Sequence, residues 1–316
     1  MRAVFMGTPD FAVPSLQALM EHHEVVGVVT QPDRPAGRGQ SVRQSPVKRL
    51  AVSHNIPVLQ PQRVADPAVV EELKALAPEV IVVVAFGQKI PPSILSLPPY
   101  GCINVHGSLL PKYRGASPIH WAIIDGNKET GVTTMLMDEG WDTGDILLQE
   151  TVEITGEDTA GTLHDKLAVL GADLLIRTLA GLADGTVTAR PQDHDEANYV
   201  SMLRKEDGLI DWNQPANRIR DFVRGMQPWP GAFSYLGDTM VKILQVEVAD
   251  DGDELGEVEK GTIVKVDNGG VEVAAAPGSV RLVTVQPENR SKMSGVDFAN
   301  GYRLEPGQRF RAERLP

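Results

Sequence analysis

The feature of the sequence that most constrains the fold is an apolar run from Val80 to Ala85, VIVVVA, in which five of six residues are β-branched. A strand with one face in water alternates apolar and polar residues, and this run does not. Unalternating runs are typical of parallel strands that helices cover on both faces. The run therefore predicts a central strand of an α/β fold, in which ligand sites lie beyond the carboxyl ends of the strands.

The residues before this run supply the neighbouring elements of such a sheet. Apolar segments at 4–6 and 25–30 predict two strands, with a helix over 11–21 between them. Ser45-Pro46 and Asp66-Pro67 each place a capping residue before a proline, which predicts helix starts at both positions. Gly7 follows the first strand without the further glycines of a GxGxxG motif, so a Rossmann-like sheet is expected but NAD is not.

Two polar side chains lie on the next predicted strand, which begins at Cys102. Asn104 and His106 are two residues apart, so they share one face and place an amide beside an imidazole. Gly107 and Pro111 then interrupt the strand and predict a loop at its carboxyl end. An Asn-x-His pair alone is more often part of a hydrogen-bonded turn than a catalytic pair.

The loop after the central strand, Phe86 to Pro91, lies at the same predicted edge of the sheet. Its apolar walls and backbone groups suit a flat heterocycle, and a plain strand-to-helix turn explains it equally well.

A second loop with a candidate functional residue runs from Gly140 to Gly144, between predicted strands at 132–137 and 146–151. Acidic turns are usually solvated. Here two glycines surround Asp142, and glycine allows the backbone conformations that fold a carboxylate inward.

Residues 31–45 are too polar and too rich in Pro and Gly to predict a helix or strand, so a long mobile loop is expected. From 31 to 49 there are five basic residues against Asp33, an excess of four positive charges. The whole chain has a formal net charge of −12, which argues against general nucleic-acid coating but leaves room for a local basic patch. The segment is interpreted as an anion-seeking loop, the alternative being a solvated loop with incidental charge.

A length of 316 residues favours two domains. A helix is predicted over 159–183, a polar segment containing His194 is interpreted as an exposed linker, and short alternating runs beyond Asp207 predict a small antiparallel barrel. The predicted division is 1–188, a linker at 189–206, and 207–316.

Cys102 is the single cysteine, so neither an internal disulfide nor a cysteine-rich metal site is expected, and histidine spacing gives no HExxH motif. No metal is therefore predicted. The sequence has neither a signal-peptide pattern nor an apolar run of about 20 residues, so a cytoplasmic protein without a membrane partner is expected.

Five motifs in order resemble those of the methionyl-tRNA formyltransferase family. They are GTPDF at 7–11, QPDRPAGRG at 31–39, NVHGSLLP at 104–111, RG at 114–115 and GWDTG at 140–144. The resemblance implies a Rossmann-like formyltransferase domain with a mostly parallel sheet, followed by a smaller OB-like β-barrel domain. It also implies formyl transfer from 10-formyltetrahydrofolate to the α-amino group of methionine on initiator tRNA, with a monomer expected.

The resemblance carries roles onto individual residues of this chain. Asn104, His106 and Asp142 would be catalytic. The folate site would be lined by Phe86, Gly87, Gln88, Ile90, Ser108, Leu109, Leu110 and Pro111. Arg34, Arg38 and Arg43 would contact tRNA.

The reaction independently requires these residue types, because an amine attacking a formamide builds negative charge on the formyl oxygen. Asn104 and His106 are expected to donate to that oxygen, and Asp142 to hold the imidazole and help remove a proton. No covalent nucleophile is needed, so Cys102 and Ser108 are interpreted as packing and binding residues.

Other functions remain open at this level. An amino-sugar nucleotide N-formyltransferase shares the same three residues and donor, but its small acceptor does not need an arginine loop. A formyltetrahydrofolate hydrolase and a non-catalytic binder are further alternatives.

The charge of the carboxyl domain departs from what tRNA binding favours. Such a domain should be basic, yet residues 206–316 hold 13 Lys and Arg against 18 Asp and Glu. An acidic loop within 250–259 is expected to face away from RNA. The arginines at 303, 309, 311 and 314 are expected to supply a local positive side.

Overall fold

The computed structural model describes residues 1–36, 41–252, 256 and 258–314. The chain forms two compact units. The first unit comprises Met1–Pro118, Glu129–Glu153 and His164–Val200, and the second unit comprises Ile119–Lys128, Ile154–Leu163 and Ser201–Pro316.

The chain through Val200 contains both strands and helices. In chain order they are β1 (Arg2–Gly7), α1 (Val13–His22), β2 (Glu24–Val29), β3 (Arg34–Ala36), β4 (Ser41–Arg43), α2 (Pro46–Ser53), β5 (Val58–Leu59), α3 (Pro67–Ala75), β6 (Val80–Val84), α4 (Pro92–Leu95), β7 (Cys102–His106), β8 (Arg114–Gly115), α5 (Pro118–Ile124), β9 (Glu129–Leu136), β10 (Asp145–Glu153), α6 (Ala160–Asp184) and β11 (Tyr199–Val200).

The main sheet of the first unit has the strand order β10-β9-β7-β6-β1-β2-β5. Neighbours from β7 to β5 are parallel, whereas β9 runs antiparallel to β7 and to β10. The five residues of β6 are at most 3% exposed, as expected of a strand covered on both faces. The predicted α/β fold with a mostly parallel sheet is confirmed.

The helix starts follow the local sequence signals. Ser45 accepts a hydrogen bond from the Lys48 N–H at 3.0 Å, and Pro46 opens α2. Asp66 precedes α3 in the same way, but its side chain makes no capping hydrogen bond. Proline at the first position suits both helices because that N–H has no intrahelical partner.

The segment 31–45 differs from the prediction of a loop without elements. Arg34–Ala36 and Ser41–Arg43 pair antiparallel as a two-stranded hairpin. The prolines and glycines of this segment favoured a loop. Strands of three residues are also too short to show the alternation that would have indicated them.

The predicted linker at 189–206 is also wrong in its first part. Residues through Val200 belong to the first unit, where β11 pairs parallel to β8 and Gln192 is 5% exposed. The composition of this segment is typical of a linker. Its side chains nevertheless make specific hydrogen bonds to neutral and charged partners, and these hold the segment against the first unit. The remaining predicted domain boundaries stay a prediction.

The second unit is dominated by antiparallel strands. Its elements after Ser201 are α7 (Ala216–Gly225), β12 (Phe233–Leu236), β13 (Thr239–Asp250), β14 (Ile263–Asp267), β15 (Gly270–Ala274), β16 (Ser279–Pro287), β17 (Met293–Ser294), α8 (Gly295–Tyr302) and β18 (Phe310–Arg311). The strand order is β14-β15-β16-β13-β12-β18, with β17 against β16. Trp212, Phe298 and Phe310 lie in its core. This sheet is consistent with the predicted OB-like domain.

The expected positive side near the carboxyl end is partly neutralised. Arg309 pairs with Glu259, and Arg314 pairs with Glu288 at 2.8 Å. Arg303 and Arg311 are exposed. The acidic loop predicted to face away from RNA lies partly outside the described residues.

Candidate active site

His106 ends β7 and is 7% exposed. Its Nε2 lies 3.0 Å from the backbone oxygen of Tyr113. A carbonyl oxygen only accepts, so this contact assigns a proton to Nε2. The other ring nitrogen, Nδ1, faces the Asp142 carboxylate with 3.8 Å to Oδ2.

Asp142 is held by its backbone and by its carboxylate. Its φ of 54° lies in the left-handed region, which non-glycine residues seldom occupy. The Gly115 N–H donates to Oδ2 at 2.8 Å. A separation of 3.8 Å exceeds a hydrogen bond, so imidazole and carboxylate face each other without a direct hydrogen bond in this arrangement.

The loop carrying Asp142 is ordered by a second aspartate. The Asp138 carboxylate accepts from the Gly140 N–H at 2.9 Å and from the Thr143 hydroxyl at 2.7 Å. A side chain at Gly140 would overlap Thr143, and one at Gly144 would overlap a backbone carbonyl. Both glycines of the motif are therefore required by close approach within the loop.

Asn104 lies on the same strand as His106 and shares its face. The register pairs it with Val83 on one side and Met135 on the other. It is partly exposed, and its side-chain amide makes no hydrogen bond to any residue that the structure describes. The amide is therefore a donor available for a ligand near the carboxyl end of β7.

The segment 108–111 is shaped by polar contacts with β9. Thr133 donates its hydroxyl to the Ser108 carbonyl at 2.7 Å and accepts from the Leu110 N–H at 3.0 Å. Gln149 donates to the Leu110 carbonyl at 2.9 Å. The Ser108 hydroxyl donates to the Lys112 carbonyl at 2.6 Å, so Ser108 supports the loop from within and its hydroxyl is already used.

The rest of this segment contains the accessible side chain of Leu109 and a cis peptide bond before Pro111. Leu109 is partly exposed, and the Leu110-Pro111 peptide is cis. The segment therefore offers one apolar side chain and its backbone to a ligand at the end of β7.

The loop after β6 presents mainly backbone. Phe86 is 2% exposed and Ile90 is 3% exposed, both within the hydrophobic core. The Gln88 amide accepts from the Val64 N–H at 2.8 Å and donates to a second backbone carbonyl. Gly87 has a φ of 84°, which glycine adopts at little cost. A ligand here would contact backbone groups more than side chains.

The arginine-rich hairpin has a defined base. Lys48 Nζ lies 2.6 Å from Asp33 Oδ2, and Gln60 donates to the same carboxylate at 2.7 Å. The hydrogen bond from Lys48 lowers the pKa of Asp33 below its ordinary value, and the hydrogen bond from Gln60 adds a smaller effect in the same direction. Arg34 and Arg43 are exposed and directly opposite each other in the hairpin. Arg38 lies outside the described residues.

Two arginines opposite one another repel, so the hairpin is better stabilised when an anion lies between them. In the described part of the chain, neither guanidinium forms an ion pair with a carboxylate. Anion binding by this segment stays a prediction.

Other potential chemistry is limited among the described residues. They contain no group of three or more His, Cys, Asp or Glu side chains placed to hold a metal ion. They also include no helix long and apolar enough to cross a membrane. Cys102 is 1% exposed, and burial raises the pKa of its thiol to about 12.

Sequence reasoning missed residues that support this site. Thr133 and Gln149 lie on predicted strands, where alternation marks their face but not their hydrogen bonds. Arg114 belonged to a motif without a role of its own, and Gln192 lay in the predicted linker. The hydrogen bonds that reveal them join residues far apart in the chain.

Comparison with known proteins places the chain among formyl transferases. Residues 1–179 match the formyl transferase family model, and residues 202–303 match that of the formyl transferase carboxyl-terminal domain. A methionyl-tRNA formyltransferase of Geotalea daltonii is 50% identical over 311 residues, covering 98% of both chains. One of Lachnospira eligens is 51% identical over 310 residues, covering 97% of this chain and 98% of the other. This chain belongs to the methionyl-tRNA formyltransferase family.

More distant members of the fold are sugar N-formyltransferases. The enzyme from Helicobacter canadensis, solved with folinic acid and dTDP-3-aminofucose, has a TM-score of 0.67 at 19% identity and covers 93% of this chain and 100% of its own. The sugar 3N-formyltransferase WlaRD, solved with dTDP and 5-N-formyl-THF, has a TM-score of 0.65 at 19% identity, covering 92% and 99%. They share the fold of the methionyl-tRNA formyltransferase family, and at 19% identity this similarity shows the fold alone.

Proposed function

We propose that this chain transfers the formyl group of 10-formyltetrahydrofolate to the free α-amino group of methionyl initiator tRNA. The observation that carries the proposal is identity near 50% over almost the whole chain to methionyl-tRNA formyltransferases. The arrangement of Asn104, His106 and Asp142 supports it, because amine attack on a formamide needs donors and a proton acceptor together. The distant sugar enzymes are solved with folates, which supports the same class of donor.

The proposed folate site lies along the carboxyl ends of β6 and β7. Backbone groups at 87–89 fit a flat heterocycle, the buried Phe86 and Ile90 support that loop from the core, and the segment 108–111 forms the neighbouring wall. The folate, when bound, supplies an activated formyl carbon. Asn104 is the side chain here whose amide has no partner within the described chain, which suits a contact to the formyl oxygen.

In the proposed reaction, the amine of methionine forms a bond to the formyl carbon, and negative charge develops on the formyl oxygen. The Asn104 amide donates a hydrogen bond to that oxygen. Removing one such donor typically raises the barrier by about 2.7–4 kcal/mol. With both ring nitrogens protonated, His106 would add an Nδ1–H donor for the same charge, because its Nε2–H already donates to the Tyr113 carbonyl.

Asp142 favours a proton on the facing imidazole nitrogen and takes a proton from the attacking amine, directly or through water. The bond between the formyl carbon and the folate nitrogen then breaks, and that nitrogen receives the electron pair together with the proton that Asp142 took from the amine, which returns Asp142 to its carboxylate form. Such proton transfer contributes roughly 10²–10⁴-fold. No residue of the protein becomes covalently modified.

The arginine hairpin is the proposed contact for the tRNA acceptor end. Arg34 and Arg43 present two positive charges side by side in a chain whose net charge is −12. Arg38, which lies between them in the sequence, is proposed to act with them. Phosphates are the natural partners of such a pair. A charged tRNA as acceptor implies a cytoplasmic enzyme, and a monomer remains the prediction.

A parallel assay tests the proposal. The protein is given 10-formyltetrahydrofolate with methionyl initiator tRNA, methionyl elongator tRNA or an amino-sugar nucleotide, and the formylated product is identified by mass spectrometry. Product on charged initiator tRNA, with little on the other two, is expected. Product on the sugar alone would contradict the tRNA assignment, and tetrahydrofolate release without an acceptor would indicate a hydrolase.

A further inference from the structure

We infer that Arg114 and Gln192 form a positioning pair that holds the Asp142 loop against His106. The inference rests on the proposed function, since it concerns how the catalytic carboxylate is placed. Neither residue is proposed to touch a substrate.

Arg114 is an arginine buried among neutral groups. It is 2% exposed. Its Nε and Nη2 donate to Gln192 Oε1 at 3.1 and 2.7 Å, and Nη1 donates to the Tyr199 hydroxyl at 3.1 Å. Nη2 also donates to His194 Nδ1 at 3.1 Å. Burying a charge with neutral partners is costly, so a residue kept in this state has a specific task.

Gln192 connects Arg114 to the loop that carries Asp142. Its Nε2 donates to the backbone oxygen of Asp142 at 2.9 Å and to that of Gly144 at 2.7 Å. The orientation of the amide is fixed, because the guanidinium can only donate and the two carbonyls can only accept. One amide therefore joins the buried guanidinium to both sides of Thr143.

A second contact reaches Asp142 from the same strand. Gly115, the residue after Arg114, donates its N–H to Asp142 Oδ2 at 2.8 Å. Parallel pairing of β8 with β11 fixes both residues, since Arg114 pairs with Tyr199 and Gly115 with Val200. Asp142 is thus held at its carboxylate by Gly115 and at its backbone by Gln192.

This double attachment determines the gap between Asp142 and His106. The 3.8 Å between Oδ2 and Nδ1 depends on where the loop backbone lies, and Asp142 itself adopts a φ of 54°. Loops of this conformation need external contacts to persist. A misplacement of about 1 Å at a reacting group can lower the rate about 10²-fold.

Gln192→Glu separates positioning from a merely structural role. Glutamate keeps the shape and gives Arg114 a charged partner, so a role confined to satisfying the buried guanidinium predicts unchanged or higher stability and unchanged activity. A carboxylate cannot donate to the two loop carbonyls. We expect kcat to fall about 10²-fold with little change in KM for either substrate, and the thermal midpoint to stay near that of the parent.

A double-mutant cycle locates the effect. If Gln192 acts through Asp142, Gln192→Glu should change kcat by less than about twofold in an Asp142→Asn background. Gln286→Glu is the matched control, because that amide also donates to a backbone carbonyl, at 2.9 Å, but lies on β16 of the second unit. Its kcat should equal that of the parent.

Arg114→Ala provides a second, independent variant. Added guanidinium at millimolar concentration should partly restore kcat in Arg114→Ala, and should not do so in Gln192→Glu. Should Arg114→Ala not fold, the outcome rests on Gln192→Glu and its cycle.

Two outcomes would overturn the inference. One is a folded Gln192→Glu variant with parental kcat. The other is an equal fold-decrease of kcat with and without Asp142→Asn, which would mean that Gln192 acts elsewhere. Failure of the proposed function itself is separate, because it would appear as a parent protein that formylates no charged tRNA.

Discussion

Replacing Asn104 by alanine should lower kcat by about 10²–10³-fold. The amide is partly exposed and makes no hydrogen bond within the described chain, so its removal leaves no buried partner unsatisfied. Folding stability should therefore change by no more than about 0.5 kcal/mol. The decrease in rate arises in the transition state, where one donor to a developing oxyanion is worth about 2.7–4 kcal/mol.

The assay is steady-state formyl transfer with saturating donor and varied methionyl initiator tRNA, combined with calorimetric binding of the stable 5-formyl folate. Asn104→Asp is the informative companion, because it keeps the size and replaces the donor by a negative charge, and it should be at least as impaired. Asn300→Ala, at an exposed position of α8, is the control and should match the parent. A kcat for Asn104→Ala within a factor of about 3 of the parent would refute oxyanion stabilisation by this residue.

The carboxylate, the arginine pair and the buried thiol each have a measurable consequence. Asp142→Asn should lower kcat by roughly 10²–10⁴-fold with donor binding unchanged, and full activity would assign proton removal to another group. Arg34→Ala and Arg43→Ala should raise KM for tRNA and reduce the slope of log(kcat/KM) against log salt by about one for each phosphate that the variant no longer binds; an unchanged slope would exclude the pair from RNA binding. Because burial raises the pKa of Cys102 to about 12, its thiol is protonated at neutral pH and should react with a disulfide reagent only after unfolding, and rapid reaction of native protein would contradict this.

Features that local sequence determines could be predicted. The run at Val80 marked the central strand because β-branched residues without alternation suit burial on both faces. The placement of Asn104 and His106 on one face followed from the period of a strand. In the second unit, the short alternating runs predicted beyond Asp207 correspond to strands such as Thr239–Asp250 and Ser279–Pro287.

Features that depend on distant contacts could not be predicted. Gln192 lies in a segment as polar as a linker, and its partner Arg114 is 78 residues away. Arg34–Ala36 and Ser41–Arg43 are joined by cross-strand pairing that has no local pattern. The second unit also takes in Ile119–Lys128 and Ile154–Leu163, which precede the predicted boundary because units are defined by contacts in space rather than by composition.

The positioning pair also explains why a motif with glycines is not enough to place Asp142. Gly140 and Gly144 permit the fold of the loop, whereas Asp138 inside it and Gln192 outside it select that fold.

Direct transfer from folate to amine is the central claim, and a single-turnover measurement tests it most directly. Enzyme is mixed with 10-formyltetrahydrofolate, with or without methionyl initiator tRNA, and tetrahydrofolate, formylmethionyl-tRNA and the intact protein mass are followed together. Tetrahydrofolate and formylmethionyl-tRNA should appear at equal rates and in equal amounts, only when the tRNA is present, and the protein mass should not change. A burst of tetrahydrofolate without tRNA, or a protein mass increased by one formyl group, would contradict direct attack.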